Sequence, residues 1–298
     1  MTLTTNRSKF LLVLVGLLTL PSLSQTVSGA SSAQQTGILW QIEKQGIKPS
    51  YLLGTVHSDD SRIVNIPRPV LLKLRAADSF AAELKMDRFT AHETRRLMLL
   101  PHGQTLESII GAARYKSCVR LLERYGIPES SVQQMKPWAV IVTLSMPQGR
   151  GGEVLDQRLY REAEILGKQV FGLETGKEQV ATLESFSLPE QLEILDDAIR
   201  DVDRLPAMFD EIVHYYLKRD LAGLERISEK YMLQGNRAIA RQFRNRILID
   251  RNYRMLRRMK PRLMQGNSFI AVGALHLPGE EGLLRLLEKE GYKVSAVY

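Results

Sequence analysis

Two segments near opposite ends of the chain share one design. Tyr51-Leu52-Leu53-Gly54-Thr55-Val56-His57 and Ile270-Ala271-Val272-Gly273-Ala274-Leu275-His276 each run from an apolar stretch into Gly-x-x-His. A short apolar run closed by a turn residue reads as a strand buried on both faces. Such strands belong to sheets covered by helices. Further strands are predicted at Ile38–Glu43, Ser79–Leu84, Lys168–Leu173 and Lys293–Val297, and the two motif strands at Ser50–Leu53 and Ser268–Val272. Gln45-Gly46 joins the first two as a β-hairpin. Helical periodicity fills Leu106–Tyr125, Pro137–Met146 and Glu153–Leu166, an insertion over about 88–166, and a second block over about 189–264. The predicted fold class is therefore α/β: a central mixed β-sheet with helical insertions. Ligands in open α/β sheets collect beyond the carboxyl ends of the strands, so the two strand–Gly-x-x-His–helix units are expected to converge on one site.

The chain has 298 residues, and one domain over 37–298 is expected. Residues 1–30 read as a signal peptide: Arg7 and Lys9, then apolar Phe10–Leu20, then Ser28-Gly29-Ala30 as a cleavage site near Ala30. The apolar run is shorter than the roughly 20 residues that span a bilayer. Residues 31–36 form a polar tether, so a soluble, exported protein, periplasmic or secreted, is expected. Cys118 is the single cysteine; no internal disulfide can form, and its helical setting reads as a small buried apolar residue. No lipobox cysteine follows the apolar run.

The chemistry lies at the strand ends. Glycine allows the sharp turn, and a neutral imidazole offers one ring nitrogen to a metal while the other is oriented by an outer acceptor. A single Gly-x-x-His is weak; two copies in a chain with only five histidines carry more weight. Glu83 lies in an otherwise apolar strand and Glu174 follows another. A buried carboxylate is costly unless it is paired or binds metal. His57, His276, Glu83 and Glu174 form a mixed nitrogen/oxygen set that suits zinc, manganese, cobalt or iron better than calcium or magnesium. Which glutamate would be a ligand and which a general base stays open.

The sequence resembles the TraB/PrgY/GumN family, which includes the Tiki metalloproteases. The resemblance rests on Tyr51–His57, Ala82-Glu83-Leu84, Asp156-Gln157-Arg158-Leu159, Gly167–Thr175 with Gln179, Arg251-Asn252, Ala271–Gly279 and Gly282-Leu283-Leu284. It implies an α/β fold with a helical insertion and metal-dependent proteolysis at His57, Glu83 and His276, with Glu174 beside them. Gly54, Gly273, Asp156, Arg251 and Asn252 carry over as family-motif residues, the last two as polar support or substrate contacts. Gly149-Arg150-Gly151-Gly152-Glu153 departs from the usual approach to Asp156.

Other signals are weaker. Asp59 and Asp60 read as turn caps. His92, His102 and His214 read as surface or helix residues. Arg241–Arg262 is strongly basic, but Phe243, Ile247, Leu256, Met259 and Leu263 mark a helical stripe, so an amphipathic helix with a solvated basic face is expected rather than a nucleic-acid site. That face could meet anionic lipid or polysaccharide. The glycines at 273 and 279 lack a phosphate-loop ending, and no Gly-x-Ser-x-Gly elbow occurs. The expected function is an exported hydrolase holding a divalent transition metal (Mn, Co or Zn) and acting on a peptide or protein substrate. The alternatives are a non-catalytic metal- or ligand-binding protein and an accessory factor of polysaccharide export.

Overall fold

The computed structural model describes residues 36–146, 148, 152–232 and 236–298. The leader and nearly all of the tether lie outside the described residues, as does most of the Gln148–Gly152 breaker. Six strands form one mixed sheet: β1 (Leu39–Lys44), β2 (Ile47–Thr55), β3 (Ser79–Leu84), β4 (Gln169–Glu174), β5 (Ser268–Gly273) and β6 (Lys293–Ala296), in the order β4-β3-β5-β2-β1-β6. Every expected strand is present. β2 outruns its expected length because the hairpin partner extends the ladder toward the turn, where Gly46 takes a left-handed φ of 77°.

The four strands β4, β3, β5 and β2 are parallel. Tyr51–Thr55, Ser79–Ala82 and Ser268–Val272 are all buried, which is why the central strands read as continuous apolar runs instead of alternating ones. The antiparallel hairpin partner β1 and then β6 complete the far side.

Helices supply the crossovers. The expected Leu106–Tyr125 helix is two helices, Leu106–Ile110 and Ala112–Glu123, because Gly111 breaks the run at φ 81°. The second block is likewise divided: Pro206 starts one helix and Arg219, at φ 59°, follows its end. The stripe Phe243, Ile247, Leu256, Met259 and Leu263 is buried as expected. Its helix is interrupted by a π-turn, Asn245–Ile249. Asp60 caps a short helix, its Oδ1 accepting from Arg62 N at 2.8 Å. Cys118 is buried, and burial pushes its thiol up to about 12, which fits an inert core residue.

The two Gly-x-x-His units touch back to back. Gly54 pairs with Val272 across the β2–β5 ladder. A Cβ on Gly54 would lie 2.8 Å from Leu277 Cδ1 and 2.9 Å from Ala274 Cα. The second of these is backbone and cannot rotate away. Gly54→Val is therefore expected to lower unfolding free energy by about 1–3 kcal/mol, read as a lower urea midpoint at unchanged slope.

Asp197 is buried in the helix Leu188–Asp201. Burial pushes its carboxyl up to about 7, against the pull of Arg200, and its Oδ2 has no hydrogen-bond partner. A folded-state pKa above the unfolded value means the native state binds the extra proton, so stability falls as pH rises from about 4 to about 7. Asp197→Asn should raise the melting temperature at pH 8 and leave it nearly unchanged at low pH; equal gains at both would refute this.

Candidate active site

Four parallel strands place four carboxyl ends on one edge of the sheet. His57 stands two residues beyond β2, Glu83 near the end of β3, Glu174 at the end of β4, and His276 in a 3₁₀ turn, Ala274–His276, after β5. The two histidines differ in setting. His276 is buried, whereas the His57 side chain keeps 47% of its surface. β5 lies between β3 and β2, and the turn after it packs against β2 and the helix Leu221–Met232.

His276 has a defined tautomer. Asn252 Nδ2 donates to Glu281 O at 2.7 Å, which turns Asn252 Oδ1 toward His276 Nδ1 at 2.6 Å. Nδ1 therefore carries the proton and Nε2 presents a lone pair, 3.7 Å from Glu83 Oε1. Burial lowers the His276 pKa to about 4, with Glu83 opposing and Arg251 adding to the drop. The ring is neutral at pH 7.

Glu83 is an anion. Burial alone would raise its carboxyl, but Arg251, His276 and the Gly273 amide together hold it at about 2. Gly273 N donates to Oε1 at 2.6 Å and Arg251 Nη2 to Oε2 at 2.6 Å. Gly273 has a second use here, because a Cβ on it would approach Glu83 Oε1 at 3.2 Å.

Arg251 bridges both glutamates. Its Nε donates to Glu174 Oε2 at 2.8 Å while Nη2 reaches Glu83. Arg254 Nη1 donates to Glu174 Oε1 at 2.7 Å, and Gln179 Nε2 to Oε2 at 3.2 Å. Both Glu174 oxygens are thus engaged. Arg251 and Asn252 directly follow the π-turn, in a helix whose first residue is Asp250. From this helix the adjacent residues Arg251 and Asn252 reach Glu83 and His276 respectively.

Asp156 opens the helix Leu155–Ile165. Thr55 Oγ1 donates to its Oδ1 at 2.6 Å, and its Oδ2 lies 3.4 Å from His57 Nδ1. That buried Oδ2 has no hydrogen-bond partner among the described residues, His57 being a charge contact only. Asp156 raises the His57 pKa through this side-chain pairing; burial lowers it, and the charges of Asp156 and Glu83 raise it further.

Among the described residues, no three His, Cys, Asp or Glu side chains are gathered closely enough to hold a metal as they stand. The donor chemistry nevertheless fits one. Two donors on a four-coordinate ion, each roughly 2.0–2.2 Å from it, lie about 3.4 Å apart, near the His276–Glu83 separation of 3.7 Å. Each donor has an outer partner: Asn252 for His276, Arg251 for Glu83 and Asp156 for His57. His57 is the exposed member of the three.

Thr55 and Arg254 were not singled out from sequence. Arg254 had a signal, since it repeats Arg251 on one helix face at i, i+3. Thr55 had none beyond its place in the motif. The solvated basic face expected over Arg241–Arg262 is corrected in part, since Arg241, Arg257 and Arg258 stay exposed. Arg251, Arg254 and Arg258 turn toward Glu83, Glu174 and Glu178, Lys260 pairs with Glu290, Arg246 reaches Ser185 O, and Arg262 stacks on Phe171. The strand-end carboxylates of Glu83 and Glu174 draw Arg251 and Arg254 inward.

Comparison with known proteins gives a match to the TraB/PrgY/gumN family over residues 38–296. The chain belongs to this family. It is similar to Metalloprotease TIKI2 of Danio rerio, 25% identical over 319 residues, covering 89% of this chain and 62% of that protein. It resembles the TIKI homolog of Amphimedon queenslandica at 26% identity over 338 residues, 95% of this chain and 66% of that one. The YbaP protein of Shigella flexneri is 25% identical over 248 residues, 81% of this chain and 89% of that one. The chain thus spans less than two thirds of zebrafish TIKI2 but nearly all of the YbaP length, and its relatives at this distance include proteins named metalloproteases.

Removing the guanidinium would leave Glu83 without its cationic partner and Glu174 with Arg254 alone. Arg251→Met is expected to cost about 3–5 kcal/mol in denaturant unfolding. Adding Glu83→Gln and Glu174→Gln should recover much of that loss; a triple variant no more stable than the single would sink this account.

Proposed function

We propose that the protein is an exported metal-dependent hydrolase acting on peptide bonds, with His57, Glu83 and His276 as the metal donors. The observation that supports this most is His276, whose Nδ1 is turned to Asn252 so that its Nε2 lone pair stands 3.7 Å from Glu83 Oε1. A divalent transition ion bound there would polarise a substrate carbonyl and acidify a water.

The chain's own residues divide the remaining work. Asn252 fixes the His276 tautomer. Arg251 keeps Glu83 ionised, and a carboxyl held at about 2 suits a ligand better than a general base. Glu174, with both oxygens bound, holds Arg251 and Arg254 in place. Asp156 orients His57. In this reading the leader at 1–30 carries the enzyme out of the cytoplasm, where a peptide or protein would be the substrate. Manganese, cobalt and zinc all suit the donor set.

One observation favours a second division of labour. His57 faces Asp156 as a base faces its orienting carboxylate, and that carboxylate raises the ring's affinity for a proton. His57 would then be the general base, with the metal held chiefly by Glu83 and His276.

Metal analysis of purified protein after repletion with zinc, manganese or cobalt separates these readings, with cleavage of a peptide library alongside. His276→Ala should lose the metal, and Asn252→Ala should weaken metal binding by about 10–100-fold. His57→Ala should also lose it if His57 is a ligand, but should keep it and lose only turnover if His57 is the base. Failure of the wild type to retain any of the three metals would overturn both.

A further inference from the structure

The helix α1 (Arg88–Leu97) begins five residues after Glu83, beyond the carboxyl end of β3. None of its ten residues is buried. It packs on α2 (Gly176–Glu184), which opens two residues after Glu174, through Thr90 and Thr94 against Gly176. The opposite face is open. At 3.6 residues per turn, Arg95, Arg88, His92, Arg96 and Phe89 fall within an arc of about 120°, and all five are exposed, Phe89 at 76%. Leu99, just past the helix, is exposed as well.

The arginines on this face contrast with those of Asp250–Gln265. Arg251, Arg254 and Arg258 are paired with carboxylates. Arg88, Arg95 and Arg96 have no ion pair or side-chain hydrogen bond among the described residues. Nearby, Lys85 is paired with Asp87, and Glu93 lies at the edge of the arc. An unpaired guanidinium cluster flanked by an exposed phenyl ring matches a phospholipid surface in two respects. Guanidinium binds phosphate through paired N–H donors, and an aromatic on a helix lying flat enters the headgroup boundary. A bare anionic polymer would use the arginines and leave Phe89 in water.

We propose that this face of α1 docks on anionic phospholipid headgroups, with Phe89 entering the interface. The idea is independent of the hydrolase reading, since no part of it depends on catalysis.

Phe89→Trp in the full chain gives a local reporter, because native Trp40 and Trp138 are buried and supply a constant background. Its emission should shift to the blue on vesicles of equal parts phosphatidylcholine and phosphatidylglycerol, not on phosphatidylcholine alone, and the shift should reverse at high salt. Adding Arg88→Gln, Arg95→Gln and Arg96→Gln should raise the lipid needed for half-shift by about 100-fold. These residues are exposed, so circular dichroism should be unchanged. Leu72→Trp, exposed on the helix Arg68–Ala76, should report water throughout. An equal shift on neutral vesicles, an equal shift at position 72, or a shift that survives the Gln substitutions would each overturn the proposal. So would polyglutamate displacing the vesicles at lower concentration, which would assign the face to an acidic polypeptide.

Discussion

The structure depends on one buried guanidinium. β3 and β4 are neighbours in a parallel sheet, and each ends in a glutamate on the same edge. Two carboxylates brought together in a low-dielectric setting repel, and each is costly to desolvate. Arg251 resolves both problems by donating to Glu83 and Glu174 at once. This interaction also docks the helix Asp250–Gln265 over the strand ends. The next residue, Asn252, then meets His276. The contact that makes the sheet edge tolerable is therefore the contact that builds the candidate site.

The paired Gly-x-x-His motifs show how one local pattern acquires two roles. Gly54 and Gly273 both sit at strand ends, yet Gly54 makes room for the turn after β5, and Gly273 makes room for Glu83 and donates its amide to it. His276 is enclosed, neutral and locked in one tautomer. His57 remains half open and is oriented by Asp156, which is itself held by Thr55. The same motif thus gives one enclosed histidine and one exposed histidine.

Much of the fold was legible because its signals are local. The six strands were marked by apolar runs and turn residues, and the hairpin by Gln45-Gly46. Helix interruptions at Gly111 and the π-turn were not legible, since a single φ above zero or one added residue barely alters the apolar period. In the site, all four expected residues lie on one edge of the sheet. Their chemical settings were not legible. Glu174 looks like a ligand in sequence, but Arg254 and Gln179 occupy its oxygens, and two arginines of the basic stretch that looked solvated, Arg251 and Arg254, turn inward to the strand-end glutamates.

The sequence by itself determined the α/β class, the strand set and the family, since each is carried by short-range patterns or contiguous motifs. Only the tertiary structure decided which carboxylate meets which cation. Arg251 reaches Glu83 across 168 positions of chain, and such pairings follow from helix docking and strand order. Electrostatic energy in a buried site depends on distance and desolvation, and neither is written in residue order.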